Sequence, residues 1–143
     1  PREAFKRIEN VIWQEYNVNF RKLSEKSGGF YFSIFPEVTP TPWYKNIGWE
    51  TKNIKIINRL MAGHSYSKPY LFKCKFIDSD LCSTCDIIET IDHSIFTCSK
   101  HNGLRLKYKF FEQFSNIEQL LKSKDTNIYL QTVYFINEAK IDL

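Results

Sequence analysis

Glycine and proline are scarce, five of each in 143 residues. They assemble neither a glycine-rich phosphate loop nor a Gly-x-Ser-x-Gly nucleophile elbow. No aspartate pair sits in a hydrophobic, strand-like setting of the kind that holds two metal ions in polymerases, and Asp78 and Asp80 merely flank Ser79 in an expected loop. Cys74 and His64 could be imagined as a nucleophile and its base, but nothing in the sequence orients them. No enzymatic activity is therefore expected. No stretch approaches the roughly 18 apolar residues of a membrane span, and no charged-then-apolar leader opens the chain. No membrane partner is expected, and the thiols should stay reduced in an intracellular compartment, nucleus or cytoplasm. The chain opens on Pro1, not on a methionine, which points to a fragment of a longer reading frame.

What is present is apolar and aromatic. Hydrophobic residues make up 43% and aromatics 16% of the chain, enough to exclude a disordered tail, and residues 1–143 are about one domain's worth. The formal net charge of +4 permits a nucleic-acid partner without demanding one. Phe5, Ile8, Ile12, Tyr16, Phe20 and Leu23 recur every three or four positions and predict an amphipathic helix over 4–23. After the Gly28-Gly29 breaker, residues 30–35 have a β-favouring composition that predicts a short strand. The prolines and tryptophans of 36–49 predict an ordered loop.

A second helix is expected from Thr51 to Gly63, where the missing β-carbon allows a left-handed cap; His64 then reads as a helix-end residue. A short helix is expected over 68–77, with Cys74 as a small buried apolar residue. Leu104, Tyr108, Phe111 and Phe114 predict a helix with a basic face, Ser115-x-x-Glu118 a capping box, and Asp125 the cap of a last helix. The expected fold is mainly α, a small helical domain with one short strand or loop segment and a zinc knuckle at 81–99.

The knuckle follows from ligand spacing. Cys82-Ser83-Thr84-Cys85 places two thiols on one tight turn, and His93 and Cys98 supply a second pair, giving Cys-x₂-Cys-x₇-His-x₄-Cys. Three thiolates and one imidazole would saturate four-coordinate zinc and leave no place for a catalytic water. His101, three residues beyond Cys98, offers a second geometry for the fourth ligand. Ile87, Ile91 and Phe96 could pack beneath the metal.

Asn58-Arg59-Leu60-Met61-Ala62-Gly63-His64, then Leu81-Cys82-Ser83-Thr84-Cys85, Glu89-Thr90-Ile91-Asp92-His93, Cys98 and Arg105 together resemble a known pattern. It is similar to the C-terminal region of non-LTR retrotransposon reverse transcriptase polyproteins of the jockey and I-element type. The Gly28-Gly29-Phe30-Tyr31 turn and the Pro42-Trp43 loop extend that resemblance over roughly residues 10 to 110. It implies Cys82, Cys85, His93 and Cys98 as the zinc ligands, His93 over His101, and a module that helps a polymerase handle template RNA or target DNA. The chain lacks the Tyr-x-Asp-Asp and ribonuclease H acids, so neither activity is expected to reside in it. On this reading Lys100, Arg105, Lys107 and Lys109 meet phosphates and Trp43, Tyr44 or Trp49 meet bases, with upstream polyprotein domains as further partners. The competing expectation is a zinc-stabilised module that packs against neighbouring polymerase or ribonuclease H domains without affinity for nucleic acid.

Overall fold

The computed structural model describes residues 2–63 and 66–143. Among them the chain is mainly helical, with no strand beyond one isolated antiparallel bridge between Leu81 and Ile88. It divides into two compact units, Pro1–Trp49 and Glu50–Leu143, a finer division than the single domain expected from length.

In the first unit, α1 spans Arg2–Ser24, and Gly28 at φ 75° turns the chain into α2, Gly29–Ile34. The strand expected at 30–35 is thus a helix. An isolated strand has no neighbour to pair its backbone, whereas a helix closes its bonds internally, here Phe32 N–H to Gly28 and Phe35 N–H to Tyr31. Phe20 of α1 lies against Tyr31 and Phe32 of α2, with ring centroids 6.4 and 5.6 Å apart. The loop that follows is tied to α1 by Asn17, whose side-chain oxygen accepts from the Val38 N–H at 2.6 Å. Its aromatics meet edge to face, Trp43 against Trp49 with ring centroids 6.0 Å apart. The apolar stripe of α1 is not buried: Phe5, Ile8, Ile12 and Tyr16 are all exposed.

The second unit has the core. Helix α3, Thr51–Ala62, ends at Gly63 with φ 65° and buries Ile57, Leu60 and Met61. Helix α4, Lys68–Lys73, carries Pro69 in its first turn. Then come the knuckle, a short α5 at Asn102–Arg105, and α6 and α7 at Ile117–Lys122 and Thr126–Ala139. Leu120, Leu121, Tyr129, Val133 and Phe135 are almost wholly buried; each such aliphatic or aromatic side chain contributes about 1.5–3 kcal/mol. Asp125 caps α7, its Oδ1 accepting from the N–H groups of Asn127 and Ile128.

Three local expectations change. Cys74 is exposed, at the C-terminal end of the short α4 where Lys75 takes a left-handed φ of 60° and ends the helix. The single helix expected through Phe114 is α5, a turn, and a 3₁₀ segment at Lys109–Glu112. The rings of neighbours Phe110 and Phe111 lie 4.2 Å apart, and Phe111 and Tyr108 both meet Phe135. A regular helix would set adjacent residues about 100° apart and could not turn all three inward. The cap of α6 is Asn116, one residue on from Ser115: Asn116 Oδ1 accepts from Gln119 N–H, while Gln119 Oε1 reaches back to Ser115. No helix among the described residues is long and apolar enough to cross a membrane.

Candidate metal centre

The first half of the site is a tight hairpin. The Leu81–Ile88 bridge closes it, Cys82 N–H donates to Ile87 O at 2.7 Å, and Asp86 N–H returns to Cys82 O at 2.9 Å. Asp86 takes φ 57°, a left-handed conformation that Asp tolerates better than most residues, and this lets both cysteines of the turn face one point. Lys68 fastens α4 across the base of the hairpin, donating to Leu81 O at 2.9 Å and pairing with Glu89 at 2.7 Å.

The second half is a π turn, His93–Thr97, closed by Cys98 N–H to His93 O at 2.7 Å. Thr90 Oγ1 accepts from His93 N–H at 3.0 Å and starts the turn. Asp92 reaches out of it to accept from the Ile117 N–H at 2.7 Å, which anchors the knuckle to the first turn of α6. One extra residue per turn is what the x₄ spacing requires, since the wider turn brings Cys98 round to the face of His93.

The four ligand atoms lie within 4.8 Å of one another, with Cys82 Sγ 3.7 Å and Cys85 Sγ 3.9 Å from Cys98 Sγ. Metal–sulfur bonds of about 2.3 Å at tetrahedral angles separate sulfurs by about 3.8 Å, so the two pairs that Cys98 makes are already at coordination spacing. His93 is 5% exposed, and its Nε2 is buried without a hydrogen-bond partner. Its Nδ1 is 3.1 Å from Thr97 Oγ1, and that hydroxyl donates to His93 O, so Nδ1 is the protonated nitrogen and Nε2 carries the free lone pair. A buried imidazole nitrogen with no protein partner beside three thiols fits a metal ligand.

Ser99 holds Cys85 by its hydroxyl at 3.2 Å and its N–H at 3.5 Å, and these bonds lower the Cys85 pKa. Burial pushes the Cys98 thiol up to about 11, so a bound cation would have to displace its proton. Arg105 closes the site from outside. Its guanidinium donates to Ile95 O at 3.2 Å, to Cys98 O, and to Asn102 Oδ1 at 2.5 Å.

Cys82, Cys85, His93 and Cys98 are thus brought together, and they could hold a metal ion. His101 is buried outside the cluster, its ring 6.1 Å from Phe135, and Cys74 stands apart from it. Of the apolar residues expected beneath the metal, Phe96 packs on Phe111 at 5.6 Å, but Ile87 is half exposed because the hairpin turns it outward. The four cations are placed differently from one another. Lys100 and Lys109 are exposed and make no ion pair among the described residues, Lys107 pairs with Glu138, and Arg105 is committed to the knuckle. They share no single helix face. His64 lies outside the described residues. Spacing alone did not identify Thr90, Thr97 and Ser99, whose only signal is a small hydroxyl three before, four after and one after a ligand. No family model matches the chain, and neither a curated protein nor a solved structure matches it.

Proposed function

We propose that the chain is a zinc-stapled, non-catalytic accessory domain of a retroelement reverse transcriptase, binding template RNA or target DNA. The closed donor set carries this reading. Three soft thiolates and one imidazole at tetrahedral spacing favour zinc over harder divalent ions, and they leave no open position where a water could be activated. Zinc with three thiolates has a net charge of −1, and Arg105 bonded to the Cys98 carbonyl supplies a counter-cation. The nucleic-acid part is supported by Lys100 and Lys109, both exposed, and by the motif resemblance. A nuclear or cytoplasmic setting with reduced thiols follows from the same reading, as does contact with upstream domains of the polyprotein.

Elemental analysis of the purified chain should give one zinc, lost in His93→Ala and kept in His101→Ala; the reverse pattern would replace the ligand set. Binding to a single-stranded oligonucleotide should weaken with salt. The Lys100→Ala/Lys109→Ala double variant should reduce the slope of log K against log salt by about 1.4. The alternative, a zinc-stabilised interaction module with no affinity for nucleic acid, is favoured by Phe76 and Leu106, which are 75% and 85% exposed. It expects no binding at any salt concentration.

A further inference from the structure

One wall of the knuckle also borders a cleft of about 610 Å³, closed on its other sides by α4 and the segment after α7. That volume lies in the range of small-ligand sites, and Leu71, Ile91 and Ile141 give it apolar walls. Two of its lining side chains are polar and more than nine-tenths buried: Ser94 is 6% and His101 8% exposed. Neither makes a side-chain hydrogen bond among the described residues, and neither is sealed from solvent, so each keeps one donor and one acceptor available to a molecule in the cleft. The two side chains thus present a hydrogen-bonding edge to whatever enters the cleft. A neutral donor-acceptor pair suits the edge of an uncharged heterocycle better than it suits an anion.

The mouth of the cleft adds charge. Lys100 and Lys140 are exposed there and make no ion pair among the described residues, while Glu89 is already neutralised by Lys68. Tyr66 also lines the cleft, 54% exposed, with the Arg59 guanidinium 5.5 Å from its ring centroid. Asp142 is the one carboxylate of the lining without an ion pair among the described residues. We infer that the cleft takes one unpaired base of a single-stranded nucleic acid, Ser94 and His101 bonding its edge and Lys100 and Lys140 meeting the flanking phosphates. The inference rests on the nucleic-acid reading above and names the group that is held. It also gives the metal a second consequence, because Cys82, Ser83 and Ser94 all belong to the cleft wall.

The test compares a labelled single-stranded octanucleotide with an abasic phosphodiester of the same length, titrated against the zinc-loaded full chain by fluorescence anisotropy. Intact bases should bind roughly tenfold more tightly than the abasic strand, the range of one stacked and bonded base. His101→Phe and Ser94→Ala should each shrink that ratio towards one while leaving the abasic affinity in place, and Asp142→Asn should tighten both. Equal affinity for the two strands overturns the cleft assignment and leaves a cationic surface that binds backbone alone. A base preference that survives both His101→Phe and Ser94→Ala overturns it as well, since the base is then held elsewhere. Absence of binding to either strand overturns the nucleic-acid reading together with the cleft.

Discussion

Arg105 shows how one side chain can be mistaken for surface charge. From sequence it is a cation close to a knuckle; in the fold its fork joins the π turn, the last cysteine and the start of α5 through three hydrogen bonds. Burial lowers its pKa, and the nearby Cys98 and Cys85 offset that effect, as expected of a counter-cation to thiolates. Arg105→Ala should cost about 2 kcal/mol or more in urea unfolding of the metal-loaded chain, because buried carbonyls lose a charged donor. Arg105→Lys should recover little of it, since an ammonium cannot span the fork. A variant that unfolds like the parent would return Arg105 to the surface. The cluster of Cys82, Cys85, His93 and Cys98 was legible because thiol spacing is short-range and chemical. The hydroxyls that orient them were not, since serine and threonine are common in any loop.

At the level of elements, legibility tracks how locally an element is determined. Helices α3 and α7 carry their own stop and start signals, Gly63 and Asp125, and both ends match the reading from sequence. Asp125→Ala should lower stability by about 1 kcal/mol by leaving two N–H groups of the first turn uncapped, measurable by thermal or urea unfolding. The segments at 30–35 and 104–114 are aromatic-rich and lack such signals, so their form is set by which rings they must meet. Tyr129 on α7 illustrates the energetics of one such placement. It is almost fully buried, donates its hydroxyl proton to Leu121 O, and burial raises its pKa to about 12. In the unfolded chain the same hydroxyl ionises near 10. Its raised folded pKa makes this contribution fully present below pH 10 and progressively lost as pH climbs towards 12. Tyr129→Phe should remove that alkaline limb, in a comparison of unfolding between pH 9 and 12, while losing about 1 kcal/mol at neutral pH.

For the molecule as a whole, the Cys/His cluster sits beside a core that is mostly built elsewhere. The helices α3, α6 and α7 supply most of the buried apolar residues, and the knuckle adds Ile95, which is wholly buried. Chelation should therefore loosen residues 81–101 and lower the cooperativity of the second unit without melting its helices. Amide exchange should show protection lost across the knuckle and retained in α7. Loss of helical circular dichroism on chelation would mean instead that the metal nucleates the unit. Acid should mimic chelation, because protons compete with the cation for three thiolates.

The π turn at His93–Thr97 has a consequence for how this chain can vary. A turn of that width acts as a spacer of fixed phase: it sets the rotational angle at which everything after Cys98 leaves the knuckle. Removing one residue from it would restore an ordinary α turn and swing the exit by about 100°. The Arg105 fork, the ring of Phe111 and the bond from Ile117 at the start of α6 to Asp92 would then fall out of step together. Substitution within the turn is a local matter, but a change in its length is felt by every element downstream.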